Sequence, residues 1–212
     1  MCGRFSRDIP WSTLHDALNI IRPAPQNLEP APDIRPTTQQ WVARREGEGF
    51  ALDQMRWGLV PFWHGGKPLK NSGPGAKDGF NLTTFNARAE EAAKKPVFRG
   101  AFARRRCLVP ASGWYEWTGD KGAKTKWHFG RIDGQFLMFA GIWDECTTSD
   151  AGVVTSFTLL THDSTGHLTT YHDRAPIVLE PGEWSTWLDP EADPMGLLAP
   201  GRAERFEVRQ AA

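Results

Sequence analysis

The sequence predicts an α+β fold with antiparallel sheets, in one domain spanning residues 1–212. Three observations carry that expectation. Short segments rich in aromatic and β-branched residues are joined by tight turns containing Gly or Asp, the pattern of hairpins. No regular alternation of strand and helix patterns occurs, so a sheet built from parallel crossover units is not expected. At 212 residues the chain is long enough for one full core.

Each element follows from its local pattern. Trp11, Leu14, Leu18 and Ile21 recur at helical spacing after Pro10, which predicts an amphipathic first helix ended by Pro23 and Pro25. Segments 39–45 and 50–57 flank Glu46-Gly47-Glu48-Gly49 and predict a hairpin. Residues 61–80 are rich in Gly, Pro and Lys, the composition of a mobile loop beside a site. A short helix is expected at 89–95, and strands at 107–110 and 114–118. Residues 119–123 turn into a strand at 126–131, and Asp133-Gly134 turns into another at 136–143. The β-branched run 153–161 is the strongest strand of all. A last core strand at 177–179, a short helix at 183–188 and a terminal strand at 205–208 complete the reading.

Composition narrows the function classes. Lys+Arg and Asp+Glu number 25 each, so any nucleic-acid binding must come from a local patch, not the whole surface. No apolar run approaches the roughly 20 residues that span a bilayer, and no secretory leader is expected. Cys2, Cys107 and Cys146 are too widely spaced for a disulfide framework or a CxxC metal pair, which predicts a reduced, cytoplasmic protein. His15, His64, His128, His162 and His167 show no ligand spacing, so neither a metal nor another cofactor is expected. Ten tryptophans stand against two tyrosines. Most such rings fill core space. Trp57, Phe62 and Trp63 lie in a turn-rich segment where exposed rings would stack on bases.

The chemistry begins at Met1-Cys2-Gly3-Arg4. Removal of the methionine makes Cys2 the amino terminus, with an amine and a thiol on adjacent carbons. The amine titrates near about 7.7–8.0, far below lysine, so a useful fraction is free base at neutral pH. Such a pair traps an aldehyde, first as an imine and then as a thiazolidine. It also suits acyl transfer, with the amine as base. Three further segments carry functional groups. Phe85-Asn86-Ala87-Arg88-Ala89-Glu90 sets an amide, a guanidinium and a carboxylate at a strand-to-helix junction. In Gly113-Trp114-Tyr115-Glu116-Trp117, alternation puts Trp114 and Glu116 on one face. A carboxyl held between tryptophans has a raised pKa if desolvated, suited to proton transfer. Tyr171-His172-Asp173-Arg174-Ala175-Pro176 is the third; a single His-Asp-Arg tripeptide in a loop is ordinarily just solvated.

Taken together, these segments resemble the SOS-response-associated peptidase family, whose members process abasic sites in single-stranded DNA. The resemblance runs through Met1-Cys2-Gly3-Arg4-Phe5, Trp57-Gly58-Leu59-Val60-Pro61-Phe62-Trp63, Asn86-Ala87-Arg88-Ala89-Glu90, 98–110, 113–117, 139–143 and His172-Asp173-Arg174. It implies strongly curved, barrel-like antiparallel sheets with flanking helices around a DNA-binding cleft. It also implies a catalytic set. Cys2 forms the thiazolidine with the ring-opened sugar, Asn86 positions the sugar, Glu116 shuttles protons, and His172 assists ring opening or holds the adjacent phosphate. Arg4, Arg88 and Arg174 are the implied DNA-binding arginines, with Trp57, Phe62 or Trp63 stacking on bases. The partner so implied is single-stranded DNA containing abasic sites, and the family name implies self-removal of Met1 as an alternative to an aminopeptidase; a cytoplasmic, nucleoid-associated monomer is expected. Two departures stand out. The family's Asn-x-Ala-Pro-Thr stretch reads Asp33-Ile34-Arg35-Pro36-Thr37 here, and Ala175 replaces the Met that follows His-Asp-Arg. Two rival classes stand beside it: an N-terminal-nucleophile amidohydrolase of the glutaminase kind, which shares the opening residues, and a non-covalent single-strand-binding module, in which aromatics and arginines bind DNA and Cys2 is incidental.

Overall fold

A computed structural model describes residues 2–21, 29–69 and 84–211. In chain order the regular elements are β1 (Arg4–Arg7), α1 (Trp11–Leu18), β2 (Ala31–Ile34), β3 (Gln39–Glu46), β4 (Gly49–Trp57), β5 (Asn86–Arg88), α2 (Ala89–Ala92), α3 (Arg99–Arg104), β6 (Arg106–Ala111), β7 (Gly113–Thr118), β8 (Thr125–Arg131), β9 (Leu137–Thr148), β10 (Gly152–Asp163), β11 (Arg174–Pro176), α4 (Trp184–Leu188) and β12 (Phe206–Gln210).

The α+β expectation holds, and the curvature goes as far as closure. Strands pair in the order β10-β4-β3-β6-β9, and β9 pairs again with β10, so five strands form a barrel without an open edge. The remaining sheet is open and antiparallel, in the order β12-β8-β7-β1-β2. The ladders are not antiparallel throughout. β10 runs parallel to β4 at Ser156 and Phe157, then parallel to β5 from Leu159 to Thr161. The exchange takes place at Gly58, whose φ of +119° suits only glycine and whose N–H donates to Phe157 O at 2.8 Å. That bend releases β10 to take up β5, and so carries Asn86 into the barrel's end.

Aromatic rings tie the two sheets together. Trp57 stacks on Phe157 with centroids 6.4 Å apart and meets the edge of Phe5 at 5.0 Å. Phe139 of the barrel takes Phe5 at 6.0 Å and Trp114 at 6.3 Å, both from the open sheet. Such pairs add about 0.5–1.5 kcal/mol each beyond the area they bury.

Several boundaries differ from the sequence reading. Helix α1 stops at Asn19, which adopts the left-handed conformation, two residues short of Ile21. Ile21 is therefore exposed, and Ile20 is the buried partner, bridged to Phe50. Pro23, Pro25 and most of the 61–80 loop lie outside the described residues. The strand expected at 177–179 forms its ladder earlier, at β11, although Ile177 and Leu179 are buried as expected. Strands β1 and β2 and helix α3 were not foreseen. Each is short, and arginines or Pro and Asp interrupt its apolar pattern.

Candidate active site

The antiparallel pairing of β1 with β7 sets Phe5 opposite Trp114 and Arg4 opposite Tyr115. This register brings the start of the chain beside Glu116. β5 arrives from the barrel side with Asn86, whose Nδ2 donates to the Cys2 carbonyl at 2.7 Å. Cys2, Asn86 and Glu116 are all buried, and the Asn86 Oδ1 has no hydrogen-bond partner among the described residues. A buried orphan acceptor is costly unless something else uses it.

Electrostatics mark the same cluster. Burial raises the Glu116 carboxyl to about 7; Asp173 adds to the rise, and the positive amino terminus opposes it. Burial also pushes the Cys2 thiol well up, and the charge on Glu116 pushes it further. The Cys2 Sγ donates weakly to Arg4 O at 3.6 Å. Burial lowers the His172 ring, with the amino terminus acting in the same direction. At neutral pH the ring is therefore uncharged, and its Nδ1 lies 2.9 Å from the Arg174 backbone N. An Asp173 carboxylate oxygen lies 2.6 Å from Nδ1, an ion pair only when the ring is protonated. One cluster thus holds a protonated thiol, a carboxyl half-ionised at neutrality and a neutral imidazole.

The expected DNA-binding residues divide. Arg88 is exposed at the β5–α2 junction. Phe62 and Trp63 are 61% and 41% exposed. Trp57 is the clearest correction: it is fully buried, and its Nε1 donates to Phe85 O at 2.7 Å, so its faces belong to the core. Arg174 is corrected too. Its guanidinium is buried and committed to Glu90 at 2.7 and 2.9 Å, to Asp163 and to Thr161 O. It braces β10, β11 and the β5–α2 junction instead of facing a ligand. The tryptophans beside Glu116 also separate. Trp114 packs inward on Phe129 at 4.8 Å, whereas Trp117 neighbours Tyr115 and lies beneath the Arg4 guanidinium at 5.5 Å.

Two residues near the site were missed as participants. Asp173 influences both Glu116 and His172. Asp33 accepts from Arg4 Nη1 at 2.6 and 2.8 Å. Its departure from the family pattern was the signal that pointed to it. Among the described residues no group of three or more His, Cys, Asp or Glu could hold a metal ion, and no helix is long and apolar enough to cross a membrane.

Comparison with known proteins gives a consistent set of matches. The family model described as SOS response associated peptidase (SRAP) matches residues 1–211. Abasic site processing protein YoqW of Bacillus subtilis is 28% identical over 219 residues, covering 99% of this chain and 92% of its own. Abasic site processing protein YedK of Escherichia coli is 29% identical, covering 90% and 81%. The Xenopus tropicalis protein HMCES, also named an abasic site processing protein, is 30% identical over 70% of this chain and 49% of its own length. A solved protein from Bordetella bronchiseptica superposes with a TM-score of 0.81 over the whole of both chains at 24% identity, a likeness of fold alone.

Proposed function

This chain belongs to the SOS response associated peptidase family, and from that premise we propose that it captures abasic sites in single-stranded DNA as a covalent thiazolidine on Cys2, once Met1 is removed. The observation that carries the reading is the burial of Cys2 together with Asn86 and Glu116, the last with its carboxyl at about 7. The relatives' names support the choice of lesion.

The steps follow from the groups at hand. His172, uncharged at neutral pH, assists opening of the sugar hemiacetal to the aldehyde. The freed α-amine of Cys2 adds to the aldehyde carbon and forms a carbinolamine. Loss of water requires a proton on the departing hydroxyl and release of one from nitrogen. A carboxyl poised near neutrality supplies the first and takes the second, which is the role of Glu116. The Cys2 sulfur then adds to the imine carbon while its proton passes to nitrogen, closing the ring with no net oxidation or reduction. The amide of Asn86 holds the Cys2 carbonyl and offers its Oδ1 to the new ring. Arg4 and Arg88 grip the flanking phosphates, and Phe62 and Trp63 stack on neighbouring bases. The setting is a cytoplasmic monomer on single-stranded DNA, with Met1 removed by the protein itself.

Mixing the purified protein with an abasic oligonucleotide and recording intact mass tests the reading. The expected product is one protein lacking Met1 joined to one oligonucleotide, stable without borohydride. No adduct, combined with hydrolysis of glutamine to glutamate, would assign the chain to the amidohydrolases instead.

A further inference from the structure

The surroundings of Arg4 contain a carboxylate that the covalent chemistry does not use. Arg4 Nη1 donates to both oxygens of Asp33, at 2.6 and 2.8 Å. One of those oxygens also accepts from Arg35 Nε at 3.0 Å and Nη2 at 2.7 Å. Side-chain exposure is 30% for Arg4, 32% for Asp33 and 59% for Arg35, so the group faces solvent. Exposed ion pairs contribute little to stability, and folding alone gives a weak reason for this one.

The position suggests a different reason. Arg4 follows the nucleophile by two residues, and its guanidinium is laid over Trp117, next to Glu116 on β7. With Nη1 held by Asp33, Arg4 still presents Nη2 and Nε to an incoming anion. Any phosphodiester reaching those donors comes within a few ångströms of the Asp33 carboxylate, well inside the Debye length of about 8–10 Å at ordinary salt. The phosphodiester then competes with Asp33, which Arg35 holds in place, for the Arg4 guanidinium.

We propose that Asp33 lowers the affinity of the Arg4 contact for a phosphodiester, so that an undamaged single strand is held weakly and lasting retention depends on covalent capture at Cys2. The inference rests on the abasic-site reading above and adds a residue that sets specificity by opposing non-covalent binding. It also gives the Asp33 departure a purpose: tying Arg4 to a carboxylate suits a protein whose bond to its target is covalent.

Fluorescence anisotropy with an intact single-stranded oligonucleotide across a salt series provides the test, with abasic adduct formation by the wild type measured in parallel. Asp33→Asn keeps the shape and removes the charge. It should bind the intact strand roughly two- to fivefold more tightly at low salt. Its slope of log K against log salt should steepen by about 0.7, the value for one additional phosphate neutralised on a single strand. In an Arg4→Ala background the gain should vanish. Asp33→Ser should repeat the result, should the asparagine variant fail to fold. Equal or weaker binding by the folded variants, or a gain that persists without Arg4, overturns the inference. If the wild type crosslinks abasic DNA while Asp33→Asn changes nothing, the inference alone fails; if the wild type neither binds nor crosslinks, the abasic-site reading fails with it.

Discussion

The ring cluster around Trp57 and the Cys2–Asn86–Glu116 group that adjoins it are equally buried and opposite in chemistry. In the first, Trp57, Phe139, Phe157 and Leu159 pack apolar surface together, and the indole N–H of Trp57 is satisfied by Phe85 O at 2.7 Å. In the other, burial falls on a thiol, a carboxyl and an amide whose Oδ1 has no partner among the described residues. Burial stabilises the first region through the area it removes from water. In the second it raises the thiol and the carboxyl toward their neutral forms, at a cost in stability. One region holds the fold; the other is held by it.

Breaking the contrast at its reactive end should have the largest effect. Cys2→Ala leaves an α-amine but no thiol, so the stable adduct should be lost entirely, while borohydride should still trap the imine. A stable adduct without borohydride would place the nucleophile elsewhere. Glu116→Gln keeps the shape and removes proton exchange; single-turnover adduct formation should slow by roughly 10²–10⁴. A wild-type rate would make the carboxyl structural.

The barrel side should answer in stability. Trp57→Ala should cost about 3–5 kcal/mol in denaturant unfolding, through lost transfer energy and the cavity left behind. A loss below about 1 kcal/mol would mean the ring is not the core element described.

A pH series sharpens the comparison. The Glu116 carboxyl binds its proton more tightly in the native state, at about 7, than in the unfolded chain. Its protonated form therefore favours the native state, and that contribution is lost as pH rises from the unfolded value through 7. Glu116→Gln, neutral throughout, should be more stable than wild type at pH 8 by about 3 kcal/mol and show no such advantage near pH 4. The same stability difference at both pH values would contradict a desolvated carboxyl. The smallest effect is expected from Phe62→Ala, which should weaken intact-strand binding by no more than the 1–3 kcal/mol of one stacked base.

The two regions also differed in how far they could be read from sequence. The β3–β4 hairpin was legible because Gly47, at φ +57°, makes a tight turn between alternating strands. β10 was legible from its β-branched residues. Barrel closure was not, since the parallel pairing of β10 with β4 joins segments about a hundred residues apart and leaves no local mark. Trp57 was misplaced although a signal existed: it shares the inward parity of Met55 on β4, and the turn-like residues after it drew it toward the surface. Cys2, Asn86, Glu116 and His172 came from the family resemblance, and the fold sets Asn86 against the Cys2 carbonyl at 2.7 Å. Their protonation states depend on burial and on Asp173, which only the folded chain displays. Arg174 could not be read correctly at all, because its partners Glu90 and Asp163 come from two other segments.

The central claim is that the amine and the thiol of Cys2 act together, and an upstream tag tests it most directly. A tag fused before Met1 and left in place locks the amine in a peptide bond, while cleavage directly in front of Cys2 restores it. Intact mass after incubation with an abasic oligonucleotide should show no borohydride-independent adduct for the tagged protein and full conversion for the cleaved one. Full conversion by protein whose uncleaved tag is confirmed by sequencing would contradict the account.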